Sequence, residues 1–306
     1  MKNAIVFYYN LAPTNIHQKG KSFSFVINSD SYILLPIEND SLDINKLYEL
    51  SVNLFNQGVY THQFVINKDR NLITAINNLP YVLFKVYVND KRKITIDDIY
   101  VFNNVLINDN VSKIRRQNWY ELWTRKIDYF EYQVNQLGKK HPLIRESFSY
   151  FVGLGENAIS LVRDIPKVEM KVAHERIGQE DTLFDLYNPL NLIIDTKVRD
   201  ACEYFKSCFF NTDNFLDKDF LFDDIKFYIE NNRLTINECL LFLSRMFYPT
   251  FYFDIYENVL QGKEKEKSLL KVISRINEYE YLLEQIYLYL RSIMNVPEIE
   301  WLDNLR

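Results

Sequence analysis

The sequence predicts an α+β protein of two lobes: a β-rich first lobe over residues 1–88 and a mainly helical second lobe over residues 89–306. Three observations predict it. Short β-branched and aromatic runs, bounded by Asn, Ser, Asp and Gly, recur through the first third, as strands joined by turns do. After Thr95 the apolar residues recur at helical spacing. The change between the two patterns falls at Tyr87 to Thr95, around the charged turn Asn89-Asp90-Lys91-Arg92-Lys93, and marks the lobe boundary.

In the first lobe, Ala4 to Tyr9 reads as a strand and Asn10 to Gly20 as a polar turn region. Ser22 to Asn28 alternates, Asn28 to Ser31 turns, and Tyr32 to Ile37 forms a third strand. Leu42 to Asn56 is an amphipathic helix with Gly58 beyond its end. His62 to Asn67 and Asn71 to Ile76 read as a hairpin turning at Lys68-Asp69-Arg70, and Tyr81 to Tyr87 is the last strand. A five-stranded antiparallel sheet is expected.

The second lobe opens with a helix from Thr95 to Asn103, capped by Thr95 with Asp97 and Asp98 in its first turn. Lys113-Ile114-Arg115-Arg116 is a basic cluster, read as a solvated face. Trp119 to Leu137 carries a core stripe of Trp119, Trp123, Ile127, Phe130 and Val134. Leu143 to Val162 is a further helix, in which Gly153 and Gly155 permit close approach of a neighbour. Short β-runs follow at Met170 to Ala173 and Leu192 to Ile194, then a helix from Ala201 to Phe209. Thr212 to Asp219 is an acidic connection, and Phe220 to Glu230 a helix. Thr235, with Glu238 three residues on, caps a helix that Pro249 ends or kinks. Phe251 to Val259 continues helically, Gly262 to Lys267 is a charged linker, and Ser268 to Asn295 is one long helix. No internal repeat is visible.

Composition narrows the function. With 306 residues, 22 Phe and 22 Tyr, the chain can bury a large core. A net charge of -5 argues against a nucleic-acid partner, which calls for a basic footprint. Cys202, Cys208 and Cys239 have no metal spacing and read as reduced thiols of a cytoplasmic-type protein. No apolar run reaches the roughly 20 residues that span a bilayer, and the first residues lack a signal-peptide core.

The chemistry-bearing stretch runs from Met170 to Phe210. His174-Glu175-Arg176 follows the first β-run, and Asp181 lies five residues beyond Arg176. The second β-run ends at Asp195, and Arg199 and Asp200 open the helix after it. This arrangement, with the segments Trp119 to Glu131, Tyr150 to Leu161, Asn191 to Lys206 and Leu243 to Glu257, resembles the protein-kinase-like superfamily of choline kinases and aminoglycoside phosphotransferases. Within it the chain is most similar to the YutH-like spore coat proteins.

The resemblance implies a kinase-like fold whose catalytic-loop region is residues 170–200. His174 would orient that loop. Arg176 stands where the catalytic aspartate belongs and cannot accept a proton from a hydroxyl. Asp195 would be the metal carboxylate, and Asp181 stands where a second ligand, normally Asn, belongs; together they form a residual metal or anion site. Arg176, Arg199, Asp195 and Asp200 would otherwise form a structural ion-pair network. The third-strand lysine is replaced by leucine or proline, and Gly20 between Lys19 and Lys21 is all that remains of the glycine-rich loop. Glu49, the helix glutamate of such a pair, reads as a surface residue.

On these grounds the sequence is read as a catalytically degenerate kinase-like protein with no cofactor. It would act through other proteins, spore coat components among them, in coat assembly. Phe251, Tyr252 and Tyr256 are aromatic candidates for such an interaction surface, although aromatics at this spacing more often belong to a core. The alternative is a small-molecule phosphotransferase of the aminoglycoside or choline kinase type, with a rearranged site, ATP and magnesium.

Overall fold

The computed structural model describes residues 1–39, 41–107, 114–116, 118–166, 168–211 and 218–303. Lys113 of the basic cluster and most of the 212–219 connection lie outside them. The architecture is the expected α+β, two-lobed, kinase-like one, with an N-terminal sheet lobe and a mainly helical C-terminal lobe. By contact the chain forms two compact units, Met1–Arg115 with Met170–Asp195, and Arg116–Glu169 with Thr196–Arg306.

The first unit begins with a helix, α1 (Lys2–Tyr9), where a strand is expected. Ile5 and Tyr9, four apart, are its buried residues, while Val6 and Phe7 are exposed. That is helical period, and left-handed Asn10 (φ 54°) ends the helix by returning its N–H to Val6 O. The first strand is instead β1 (His17–Lys19), fully exposed and polar, so no hydrophobic pattern marks it. β2 (Ser22–Ile27) and β3 (Asp30–Pro36) follow, then α2 (Ile44–Asn56), β4 (Gln63–Val65), β5 (Ile73–Ile76) and β6 (Leu79–Val86). The antiparallel sheet has six strands in the order β1-β2-β3-β6-β4, with β5 also on β6.

The expected hairpin between 62–67 and 71–76 does not form. Both segments run along β6 in the same direction, Gln63 to Val65 opposite Lys85 to Leu83 and Ile73 to Ile76 opposite Val82 to Leu79. The residues between them loop out around Asn67, whose Oδ1 accepts from the N–H groups of Asp69 and Asn71. The result is one edge strand interrupted by a turn.

Register assigns each side chain to a face. Phe23, Leu34 and Leu83 are aligned across β2, β3 and β6, and α1 packs on their side through Ile5 and Tyr9. Ser24, Ile33, Phe84 and Phe64 share the other face, where Tyr48 of α2 meets Phe64 edge-on at 5.9 Å. Beyond β6 the unit contains α3 (Ile96–Asn103), β7 (Met170–His174), the short turn α6 (Leu183–Leu186) and β8 (Leu192–Thr196), whose last residue begins the second unit.

The second unit is helical: α4 (Trp119–Leu137), α5 (Pro142–Val162), α7 (Val198–Asn211), α8 (Lys218–Asn231), α9 (Ile236–Phe247), α10 (Thr250–Leu260), α11 (Leu270–Ile273), α12 (Ile276–Ile293) and α13 (Glu300–Asp303). The long terminal helix is broken, because Ser274 and Arg275 separate α11 from α12. The α4 stripe is core: Trp123 stacks on Tyr248 at 4.5 Å, and Phe130 on Phe253 at 4.6 Å. Thr235 and Glu238 cap α9 reciprocally. Tyr252 and Tyr256 are fully buried, and Phe251 packs among Phe151, Phe210 and Tyr279. The three aromatic candidates are therefore packing residues, the commoner of their two readings, since α10 turns them into the core.

Gly155 on α5 shows what close approach means here. A Cβ on it would lie 2.9 Å from Ile127 Cδ1 of α4, whereas nothing lies within 4 Å of one at Gly153. Gly155→Val is expected to cost about 1–3 kcal/mol by overpacking. Gly153→Ala is expected to be neutral or to stabilise by up to about 1 kcal/mol through helix propensity. Urea midpoints of the two variants check the contrast.

Candidate functional site

The two short β-runs of the sequence are β7 and β8, which pair as a two-stranded sheet. His174 closes β7 with no exposed surface, its Nε2 2.8 Å from Leu186 O and its ring edge-on to Phe102. Asp195, in β8, is likewise fully buried. The two strands also meet through Asn191, a residue the sequence reading did not single out. Its main-chain oxygen accepts from Glu175 N–H at 2.7 Å. Its side chain accepts from Arg176 N–H at 3.2 Å and donates to Arg176 O at 2.7 Å. The backbone of Arg176 is thus gripped on both sides, while its side chain is exposed and donates from Nη1 to Glu175 O at 2.9 Å.

Asp181 is partly buried. Its Oδ2 accepts from Gly178 N–H at 2.7 Å, and its carbonyl accepts from Ile94 N–H at 3.0 Å. Burial raises its pKa above the ordinary carboxylate value, against the lowering effect of the Gly178 amide. In the second unit Arg199 and Asp200 are both buried in the first turn of α7. Among the described residues no group of three or more His, Cys, Asp or Glu side chains is arranged to hold a metal. That does not exclude magnesium shared with phosphates, which takes one or two protein carboxylates.

Gly20, at φ 58°, and Lys21 make a two-residue turn between Lys19 and its partner Ser22, too short to wrap phosphates. Lys21 pairs with Glu38 in solvent, and Glu49 with Lys46 on the surface of α2. Ile33 and Leu35 occupy the α2 side of β3, where a phosphate-pairing lysine is expected. Lys85 of β6 is aligned with Tyr32 and Phe25 on the α1 side and pairs with Asp30 at 2.7 Å.

The loop between β7 and β8 is held from outside by residues that carry no motif. Phe184 N–H donates to Asp90 O and Leu183 N–H to Arg92 O, while Lys93 pairs with Glu180 at 2.6 Å. His62, fully buried, bonds through Nε2 to Phe184 O. Its pKa is lowered to about 4, mainly by burial, against the opposing pull of that carbonyl and of Asp185. The unfolded chain protonates this ring near 6.5. The folded state holds it neutral, so its contribution is complete above that pH and is lost as pH falls towards 4. The full loss is about 3 kcal/mol at 1.36 kcal/mol per unit. Urea unfolding at pH 7, 5.5 and 4 should show this slope in the wild type, and His62→Phe should lack this part of it.

The sequence model of the family described as "Spore coat putative kinase YutH" matches residues 2–286. The endospore coat-associated protein YutH of Bacillus subtilis (strain 168) is 24% identical over 304 residues, covering 89% of this chain and 88% of that one. Among solved structures, an aminoglycoside phosphotransferase from Alicyclobacillus acidocaldarius superposes with a TM-score of 0.71 at 9% identity, covering 95% of this chain and 97% of that one. Spectinomycin phosphotransferase, solved with ADP and spectinomycin, superposes with a TM-score of 0.59 at 10% identity over 94% and 96% of the two chains.

These matches overturn two expectations, that the chain is not an enzyme and that it takes no cofactor. The fold is shared, nearly end to end, with phosphotransferases, one of them holding a nucleotide. Missing motif residues do not by themselves remove the capacity for phosphoryl transfer from such a fold. Phosphoryl transfer rests on positioning and summed electrostatics, which side chains elsewhere in a fold can supply.

Proposed function

The chain belongs to the spore coat putative kinase YutH family, and from that membership we propose that it is a nucleotide-dependent phosphotransferase acting on a small hydroxyl-bearing molecule in the setting of the spore coat. The observation that carries the reading is the fully buried carboxylate of Asp195 at the end of β8, paired with the strand that ends in His174. A carboxylate in that place suits a divalent ion shared with nucleotide phosphates.

Asp195 would hold magnesium, and Asp181, on the loop after His174, would be its second oxygen ligand. When bound, magnesium-ATP supplies the phosphoryl group and neutralises part of its own charge. No cation of β3 helps, because Ile33 and Leu35 occupy that side. Arg176 takes no proton. The loose transition state of phosphoryl transfer asks little of a base, and orientation of the acceptor does most of the work. The similarity to an endospore coat-associated protein supports placement at the coat and contact with other coat proteins.

Calorimetry with magnesium-ATP, followed by product assays over amino-alcohols, aminoglycosides and sugars, tests the proposal. Saturable binding with transfer to one of these classes is expected. Absence of magnesium-nucleotide binding at millimolar concentration would refute it.

A further inference from the structure

We infer that His62 is a positioning residue for the loop that carries Asp181, acting from the sheet as a neutral Nε2–H donor. The inference rests on the proposed role of that loop. Two fully buried histidines reach the same short turn, α6. His174 Nε2 lies 2.8 Å from Leu186 O, and His62 Nε2 3.0 Å from Phe184 O. A carbonyl oxygen only accepts, so both rings carry a proton on Nε2.

His62 adds a second tie, its main-chain N–H donating to Tyr187 O at 3.0 Å, and its ring packs on that of Phe184 at 4.6 Å. It stands immediately before β4, so the edge of the sheet is joined directly to the turn. Within the turn, Thr182 donates through N–H and Oγ1 to Asp185 Oδ2. The turn follows Asp181 without a break, and Asp181 O accepts from Ile94 N–H.

The other ring nitrogen of His62, Nδ1, is buried with no hydrogen-bond partner among the described residues. Packing alone would be served by phenylalanine, which brings no orphan nitrogen. An imidazole that leaves one nitrogen unmatched is explained by what the other one does, the bond to Phe184 O.

Two variants separate the roles. His62→Phe keeps the ring and removes the donor; His62→Gln offers an amide donor in a similar place. In His62→Phe, hydrogen exchange of the amides at 182–187 should speed up at least tenfold while those of β6 and α2 are unchanged. Magnesium-ATP affinity should fall at least fivefold. His62→Gln should restore both. Unchanged exchange at 182–187 in His62→Phe would overturn the inference. So would uniform loss of protection across β6 and α2, which marks a folding role only, or failure of His62→Gln to rescue. If the wild type binds no magnesium-nucleotide, the phosphotransferase proposal fails by itself, and the exchange pattern still decides whether His62 holds the loop.

Discussion

Asp195→Asn is expected to reduce magnesium-nucleotide affinity and any phosphotransfer by at least about 100-fold while leaving the fold in place. Removing one positioned group that acts on developing charge typically costs two to three orders of magnitude in rate. The substitution keeps the shape of a fully buried side chain and removes its charge. A neutral amide oxygen binds magnesium far less well than a carboxylate, a hard ligand for a hard cation. The measurement is titration calorimetry with magnesium-ATP, beside a thermal midpoint that reports the fold. Equal affinity in wild type and Asp195→Asn, with the midpoint unchanged, would remove Asp195 from the site. Asp181→Asn should have the smaller effect, since its Oδ2 is already shared with Gly178 N–H.

The largest expected loss of stability is that of Lys206→Met, about 3–5 kcal/mol. Lys206 is fully buried on α7 and pairs with Glu203 at 2.8 Å. It also donates to Thr250 Oγ1 at 2.7 Å and to the carbonyls of Arg245 and Tyr248 at 3.0 and 3.4 Å. Thr250 Oγ1 in turn donates to Glu203 Oε2 at 2.8 Å. The ammonium therefore caps the C-terminal end of α9 and joins it to α7 and to the start of α10 across Pro249. Burial lowers its pKa, and Glu203 is the main opposing influence.

Methionine fills the volume but leaves the carboxylate of Glu203 and two carbonyls without their cation, the costly way to break a buried pair. The double variant Lys206→Met/Glu203→Leu should recover most of the loss, because no charge is then stranded. Urea midpoints across this cycle measure it. A midpoint unchanged in Lys206→Met, with phosphotransfer lost, would mark the network as catalytic rather than structural.

Much of the fold is legible in the sequence. Helix caps are local chemistry: Thr235 with Glu238, and Thr95 with Asp98, sit where their spacing says. The stripe Trp123, Ile127, Phe130 is a period that survives any arrangement of partners. Asp195, at the end of an apolar run, is singled out by the resemblance to kinase-like folds, which place a carboxylate there. Misread segments were those whose structure depends on something remote. Ala4 to Tyr9 has strand-like composition, but Ile5 and Tyr9 are packed by Phe23, Phe25 and Leu83, far along the chain. β1 has no apolar residue and exists through its ladder to β2. β4 and β5 depend on β6, to which both are matched.

The same division runs through the site. The sequence by itself determined which residue types were on offer: an aspartate closing an apolar run, a histidine and an arginine after a β-run, and no lysine in β3. Tertiary structure alone decided what those residues face. Register put Leu34 towards α1 and Ile33 and Leu35 towards α2, a choice that turns on a one-residue shift. Folding brought His62 to Phe184 and Asn191 to Arg176, contacts that span 122 and 15 residues and leave no local trace. Hydrogen bonds between distant segments depend on where the backbone carries each partner, and no residue spacing encodes that.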